Sequence, residues 1–201
     1  MTSVVGIINN ALNIIGASNI TALDENSKTA RVMNQMFENV RDDVFRAHPW
    51  NCLIRRATLA QEVTAPAFDY AYQYALPTDP YCLRVLEFQN GSMTYPYENL
   101  VGQGNKPFFV IEGRKLLTDS GTARIKYIAR ITDPTQYDAG LVSVLAARLA
   151  AETAYAITGS TSVVQIADAL YDRKLREARF SDATEGATIK LEASDFIEAR
   201  F

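Results

Sequence analysis

The stretch HPWNCLIRRATL, residues 48–59, is where the chain changes its periodicity. Before it, apolar residues recur every three or four positions, as on one face of a helix. Pro49 lacks a backbone N–H and disfavours the α region for the residue before it, so a helix that reaches residue 47 must end there. After it, short runs of β-branched and aromatic residues favour strands. The sequence thus predicts helices upstream of Pro49 and a β-rich segment downstream.

Two helices are predicted upstream of this stretch. Ser3 can cap a first helix over residues 4–15, and Gly16 ends it, since glycine readily takes the left-handed conformation found at helix C-termini. Asn26 or Ser27 begins a second, longer helix that runs to about residue 47. Its apolar residues follow the helical period, and charged residues occupy much of the remaining surface.

Downstream, residues 50–130 carry the strand signals. We expect six strands, over residues 52–59, 70–76, 83–88, 108–111, 115–118 and 122–129. The clearest hairpin is expected between the last two, across Asp119-Ser120-Gly121.

Helical periodicity returns after Asp133-Pro134. A third helix is predicted over residues 141–157, ending at Gly159, and a fourth begins at Ser160 or Ser162 and runs to about residue 180. Because an amphipathic pair alone buries little, the N- and C-terminal helix pairs should pack together. The predicted fold class is α+β: a four-helix bundle domain of residues 1–49 and 131–186, a β-rich insertion of residues 50–130, and an extended C-terminal arm of residues 187–201.

The composition is that of an ordinary globular protein, with 201 residues, 48% of them hydrophobic, and a formal net charge of −3. A dedicated nucleic-acid-binding protein usually has a strong basic excess, which is missing here. Cys52 and Cys82 are too few for a disulfide framework and are expected to be reduced and at least partly buried. The uncharged first twenty residues lack the basic region of a signal peptide, and their apolar run is too short for a transmembrane helix, so neither export nor a membrane location is expected.

A search for catalytic groups finds no credible site. His48 is the single histidine, at a helix end where the dipole favours a cationic ring, so a capping role is expected rather than catalysis. One histidine and two distant cysteines do not form a recognisable zinc set, and no Gly-x-Ser-x-Gly motif presents a nucleophile. Asp42 and Asp43 point about 100° apart on a helix and fit a solvated face better than two-carboxylate catalysis. The sequence therefore predicts no enzymatic activity, no metal and no cofactor.

Two other patterns leave alternatives open. Tyr70, Tyr72 and Tyr74 repeat at period two, which suits either stacking on a carbohydrate or a base, or burial against a helix. Five basic residues cluster near the predicted hairpin and could contact phosphates, solvent or an acidic partner: Arg114, Lys115, Arg124, Lys126 and Arg130.

Several segments together resemble one known family. They are residues 48–60, with Trp50 leading into an apolar strand with paired arginines; residues 70–79, YAYQYALPTD; and Leu83-Arg84-Val85. This combination resembles the tail tubular protein A family, the head-to-tail adaptors of short-tailed phages. Ile15-Gly16 at the end of the first helix also matches, as do Leu149-Ala150 and Tyr171 in the C-terminal helices, so the resemblance extends from about residue 4 to residue 180. Cys52 departs from it, since an aromatic residue is common at this position.

The resemblance implies a structural virion protein rather than an enzyme. Such a chain would assemble in the host cytoplasm into a ring, for which twelve copies are expected, between the portal protein and the nozzle protein (tail tubular protein B) of the virion tail. Repeated head-to-tail contacts close into a ring when the rotation allows it. Genomic DNA would pass through the lumen without sequence-specific binding. The alternative is a small intracellular binding module that recognises a carbohydrate or nucleic acid through the tyrosine-rich strand.

The C-terminal arm is the predicted interface. It is too short to form its own core, yet it carries more apolar residues than a solvated end requires. We expect it to dock on a neighbouring subunit or on the portal through six residues: Ile189, Leu191, Phe196, Ile197, Arg200 and Phe201.

Overall fold

The computed structural model describes residues 2–90 and 107–185, together with the backbone of residues 93–96. Within these residues the chain forms four helices and seven strands, which confirms the predicted α+β class. The helices are α1 (Val4–Ile14), α2 (Lys28–Ala47), α3 (Ala139–Thr158) and α4 (Thr161–Thr184). The strands are β1 (Ile54–Thr58), β2 (Tyr72–Ala75), β3 (Cys82–Asn90), β4 (Met93–Pro96), β5 (Phe109–Glu112), β6 (Lys115–Thr118) and β7 (Arg124–Ala129).

The helix ends follow the local signals in the sequence. Ser3 Oγ accepts a hydrogen bond from the Gly6 N–H at 3.0 Å, and Ser27 Oγ accepts one from the Ala30 N–H at 3.1 Å, so the predicted serine caps are confirmed. Gly159, at a φ of 69°, ends α3 in the left-handed conformation, also as predicted. The exception is α4, which runs one turn beyond the predicted end near Phe180, because its last turn is fixed by contacts with the end of α2.

The strands form two antiparallel sheets that lie between α2 and α3 in the sequence. The first sheet has the order β1-β7-β3-β4 and the second the order β2-β6-β5. The hairpin predicted across Asp119-Ser120-Gly121 is therefore wrong, since β6 and β7 belong to different sheets. This connection instead anchors on β2: Tyr74 Oη donates to the Ser120 carbonyl at 2.8 Å, and Asp119 accepts from the Ala71 N–H at 3.0 Å.

The hairpin that does form joins β5 and β6 through a two-residue turn. Glu112 pairs with Lys115, and Gly113 and Arg114 between them have φ values of 51° and 67°. Two consecutive positive φ values define the type I′ turn, whose twist suits a tight hairpin. The sequence signal was weak because Arg114, unlike asparagine or glycine, rarely takes this conformation.

Helix α3 packs against each of the other three helices. Its contact with α4 is close: a Cβ added at Gly140 would lie 3.2 Å from the Ala178 Cβ. Among the described helices, α3 is also the one long and apolar enough to cross a membrane by length and composition. Because 56% of its most apolar stretch is buried inside the protein, its length and hydropathy are those of a core helix.

Trp50 lies where the helices meet the sheets. Its side chain is fully buried, and Nε1 donates to the Val44 carbonyl at 3.0 Å. Phe45 is also fully buried and meets Tyr137 edge-on at 5.4 Å. One hydrophobic cluster extends from the helices through this junction into both sheets. Pro49 thus ends a helix at a point where the chain enters the shared core.

Candidate functional site

The end of α4 is held against the end of α2 by a set of polar contacts that we call the clasp, formed by His48, Asn51, Arg179 and Asp182. Asp182 is buried; its Oδ2 lies 3.0 Å from His48 Nε2, and its Oδ1 accepts from the Asn51 N–H at 3.0 Å. Asn51 Nδ2 donates to the Asp182 carbonyl at 2.8 Å, and Arg179 donates to the Ala47 carbonyl at 2.7 Å. The Ala47 carbonyl, which the helix geometry leaves without an intrahelical donor, thereby gains a cationic one.

Burial decides the protonation of His48. It stands at the C-cap of α2, where the sequence argument favoured a cationic ring. Desolvation lowers the pKa of His48, and the hydrogen bond and charge of Asp182 oppose that shift without cancelling it. The ring lies edge-on to Trp50, with centroids 4.8 Å apart. His48 therefore acts within the clasp as a mostly neutral hydrogen-bonding ring.

Both cysteines are free thiols, as predicted, with Cys52 half-buried and Cys82 buried. Burial raises the pKa of the Cys52 thiol, and it raises the pKa of Cys82 to about 11. A thiol with a raised pKa holds little reactive thiolate near neutral pH. Among the described residues, no group of three or more His, Cys, Asp and Glu side chains is placed to hold a metal ion.

The tyrosine-rich segment is used mainly inside the protein. Tyr74 is 1% exposed and is tied to Ser120 through its hydroxyl, while Tyr70 lies before β2 and donates to the Pro107 carbonyl at 3.0 Å. Tyr72 is half-buried. Of the two interpretations of this pattern, burial is therefore the one that the described contacts favour.

The five predicted basic residues do not share one face. Arg114 and Lys115 belong to the second sheet, while Arg124, Lys126 and Arg130 belong to the first sheet or directly follow it. Lys115 pairs with Glu62 at 2.7 Å, and Arg130 pairs with Asp42 of α2.

Tyr81 joins the two sheets through two of these cations. The Arg114 guanidinium lies 3.7 Å from the Tyr81 ring centroid, and the Arg130 guanidinium lies 4.3 Å from it. Arg114 also donates to the Pro77 and Cys82 carbonyls, at 2.9 and 3.2 Å. These contacts give Arg114 a structural role at its strained turn position.

The outer face of the first sheet carries a shallow groove of about 350 Å³ that sequence reasoning missed. Across β1, β7 and β3, one row pairs Arg56 with Lys126 and Lys126 with Glu87, and the next pairs Thr58 with Arg124 and Arg124 with Gln89. We call this surface the basic groove, defined by Arg56, Thr58, Glu87, Gln89, Arg124 and Lys126. Arg124 and Lys126 belong to the basic cluster predicted from the sequence, but only the pairing of β1 with β7 brings Arg56 to Lys126, so the groove itself could not be recognised along the chain.

Large apolar side chains stand exposed on several elements. Phe68, in the loop between β1 and β2, is 77% exposed, and Phe180 near the end of α4 is 75% exposed. Val63 in the same loop is fully exposed, while Tyr155 of α3 and Ile166 of α4 are about two-thirds exposed. Helix α4 lies at the surface along most of its length, with three of its residues buried.

The six residues of the predicted arm interface, Ile189, Leu191, Phe196, Ile197, Arg200 and Phe201, lie outside the described residues. Their predicted role stays a prediction. Glu185, the last described residue, directly follows α4 and lies three residues after Asp182 of the clasp. Neither a scan against protein-family models nor a search of curated proteins finds a match to this chain.

Proposed function

We propose that this chain is a structural virion protein, the head-to-tail adaptor of a short-tailed phage. It forms a ring, for which we expect twelve copies, between the portal protein and the nozzle protein (tail tubular protein B). Genomic DNA passes through the ring without sequence-specific recognition. Its role is mechanical, so neither an enzymatic activity nor a cofactor nor a membrane is needed, and the ring assembles in the host cytoplasm.

The exposed apolar side chains are the observation that supports this proposal most. A single exposed apolar residue is ordinary, but Phe68 and Phe180 leave about three quarters of two large rings in water. Burying one such side chain contributes roughly 1.5–3 kcal/mol. Phe68 lies on the loop between β1 and β2 and Phe180 lies on α4, so apolar rings on two different elements of one copy are available for protein contacts, and a head-to-tail ring needs two different contact surfaces.

The residues that carry the family resemblance support the same proposal through the fold. Trp50, Tyr74 and Val85 come from the three resembling segments, and all three are buried in the shared core. A resemblance carried by core residues indicates a similar fold rather than a shared catalytic site. We also propose that the four helices form one bundle domain around α3, with residues 50–130 as its β-rich insertion and residues 187–201 as the docking arm.

The test uses the full-length protein. We expect mass photometry to detect an oligomer, either of the protein alone or after addition of its candidate portal, and negative-stain electron microscopy to show rings. Phe180→Ser should weaken this assembly while leaving the thermal midpoint nearly unchanged, because the side chain is mostly exposed. Thr161→Ala, which changes an exposed residue at the other end of α4, is the matched control.

The outcome also separates the proposal from its alternative. A monomer that ignores the portal but binds a carbohydrate or nucleic acid, and loses that binding on Tyr72→Ala, would favour the binding module. Deletion of residues 187–201 tests the arm separately. It should abolish assembly on the portal with little change in thermal midpoint, whereas early unfolding would place the arm in the core of the monomer.

A further inference from the structure

The basic groove holds more positive charge than it neutralises. Glu87 is the one anion among its defining residues, and it pairs with Lys126 at 2.9 Å. Arg56 and Arg124 are exposed, and within the part of the chain that the structure describes neither side chain forms an ion pair or a hydrogen bond with another residue. The groove therefore carries two guanidinium groups whose charge the protein itself leaves unmatched.

The strand register brings these two guanidinium groups into one neighbourhood. Arg56 of β1 lies opposite Lys126 of β7, and Arg124 of β7 lies opposite Thr58 of β1, so the two arginines are diagonal neighbours on one face. Diagonal neighbours in an antiparallel pair are about 7–8 Å apart, a separation that long side chains can span. Both arginines can therefore direct N–H groups to the same ligand.

This arrangement of cations is unfavourable for the sheet by itself. Like charges that lie directly opposite each other destabilise an antiparallel pair, and here Arg56 faces Lys126. Arg124 lies on the same face of the sheet, and Glu87 neutralises only one of the three positive charges. An anion bound among these cations would relieve their mutual repulsion and would stabilise the folded chain, as any ligand specific for the folded state does.

Two neutral polar side chains complete the donor set. Thr58 of β1 and Gln89 of β3 lie on either side of Arg124. Among the described residues, neither side chain has a hydrogen-bond partner. A hydroxyl and an amide can each donate to an anion. The shallow groove of about 350 Å³ thus gathers two guanidinium groups, one hydroxyl and one amide whose donors are unused by the protein.

A phosphate group fits this donor set better than a carboxylate does. A carboxylate has two oxygens, and a single guanidinium fork can engage both of them. A phosphate monoester has three strongly accepting oxygens, and a nucleic-acid strand repeats its charged phosphates along the chain, so either can engage two arginines at once. Stacking on bases needs aromatic side chains, and none lines the groove within the described ranges. Contact with phosphates rather than with bases follows.

We propose that the basic groove is a binding site for phosphate groups, which Arg56 and Arg124 hold and to which Thr58 and Gln89 also donate. The phosphates belong either to a nucleic-acid backbone or to a small phosphorylated molecule, and these two sources are separable by binding measurements. Because the site lies within one copy, it is independent of the proposed ring. A nucleic-acid backbone would be bound without regard to its base sequence.

The test compares three variants of the full-length protein. The groove variant carries Arg56→Gln and Arg124→Gln, which removes both guanidinium groups without breaking an ion pair. The matched control, Arg31→Gln with Arg176→Gln, removes the same charge from exposed positions on helices. The fork variant, Arg56→Lys with Arg124→Lys, keeps the charge but loses the planar fork that pairs with two oxygens. All of these changes are at exposed side chains, so each variant should fold.

A thermal-shift titration with pyrophosphate measures binding of a small phosphate compound. We expect the apparent dissociation constant to rise at least about tenfold in the groove variant and to stay unchanged in the control. The fork variant should bind about threefold more weakly than wild type, because its charge is kept and its geometry is not. Phosphate salts also stabilise proteins by exclusion from their surface, and comparison with the control variant removes this common effect.

Fluorescence anisotropy with two labelled DNA duplexes of unrelated sequence tests the nucleic-acid source. If the backbone is bound, wild type should bind both duplexes equally. The slope of the logarithm of affinity against the logarithm of salt concentration should then be shallower by roughly 2 in the groove variant, since two phosphate contacts are lost. The control variant should keep the wild-type slope.

A loss of binding in the groove variant but not in the control, with either probe, supports the phosphate site. A loss that includes the duplexes identifies a nucleic-acid backbone as the source, and a loss confined to pyrophosphate identifies a small phosphorylated molecule. Equal behaviour of the groove and control variants toward both probes overturns the site. A polyglutamate peptide that binds the groove as tightly as pyrophosphate overturns the preference for phosphate. Ring assembly, which mass photometry measures separately, decides the proposed function whatever these results are.

Discussion

The clasp predicts a large loss of stability on Asp182→Ala. The side chain is 7% exposed and accepts from both the His48 ring and the Asn51 N–H, so its removal deletes two hydrogen bonds and leaves the Asn51 donor without its partner. Hydrogen bonds to charged groups contribute about 1.5–3 kcal/mol each, and water can reach Asn51 and replace part of the loss. We expect the free energy of unfolding to fall by about 2–4 kcal/mol. For a chain of this length, that lowers the thermal midpoint by roughly 4–16 °C.

Urea denaturation followed by tryptophan fluorescence measures this loss well. Trp50 is the single tryptophan, is fully buried, and contacts the His48 ring of the clasp. Asp182→Asn keeps an acceptor for the Asn51 N–H but removes the charge, so its free energy of unfolding should fall about half as much as that of Asp182→Ala. Asp172→Ala, an exposed position on the same helix, should change the unfolding free energy by less than about 0.5 kcal/mol. If Asp182→Ala is no more destabilising than Asp172→Ala, the clasp does not hold α4.

Three further predictions concern the titration of His48, the turn between β5 and β6, and the contact between α3 and α4. Burial lowers the pKa of His48, so the unfolded chain binds a proton at this residue more readily than the folded chain does. The free energy of unfolding should therefore fall as the pH drops through 6.5 toward the folded-state pKa. His48→Gln should flatten this part of a profile of thermal midpoint against pH. Arg114→Ala should lower the free energy of unfolding by about 1–3 kcal/mol, because the contacts with backbone carbonyls and with the Tyr81 ring are lost. Arg114→Gly loses the same contacts but relieves the positive φ, so its loss should be about 1 kcal/mol smaller. Equal losses in thermal unfolding would refute strain at the turn. Gly140→Val should cost about 1–3 kcal/mol by crowding both Ala178 of α4 and the Asp138 carboxylate that caps α3. Adding Ala178→Gly should restore the part that is due to α4, as a double-mutant cycle would measure.

The helices could be predicted from the sequence because their signals are local. Ser3, Ser27 and Gly159 act within one turn of the ends that they define, and the apolar period is visible over each helix. The signals for strand positions were also local, since six of the seven described strands overlap runs that were predicted as strands. The seventh, β4, was not predicted.

Strand pairing could not be predicted in the same way. The connection Asp119-Ser120-Gly121 has turn-forming residues, but its contacts with β2 direct β6 and β7 into separate sheets. The true hairpin turns at Arg114, whose positive φ is compensated by carbonyls of Pro77 and Cys82 on another part of the chain. Long-range compensation of this kind leaves no trace in a window of neighbouring residues.

The candidate surfaces were hidden for the same reason. The basic groove exists only because β7 lies between β1 and β3, and the clasp joins His48 to Asp182 across 134 residues of sequence. Charge and burial at these positions are ordinary when read along the chain. Their meaning depends on the tertiary pairing that brings them together.

If the ring proposed above assembles through residues 187–201, Asp182→Ala has a second and separate consequence, because the clasp then links the stability of α4 to assembly. It fixes the last turn of α4, the element that precedes the predicted arm, and a fixed attachment point raises the effective concentration of a tethered segment at its target. If the last turn of α4 frays, the attachment point of the arm varies in position and this advantage falls, although the sequence of the arm has not changed. Asp182→Ala should therefore weaken assembly several-fold at temperatures where the protein is still fully folded, while Gly140→Val, which destabilises α4 at a contact outside the clasp, should weaken it less at equal loss of unfolding free energy. Equal weakening by the two variants would mean that assembly follows global stability and that the clasp does not position the arm.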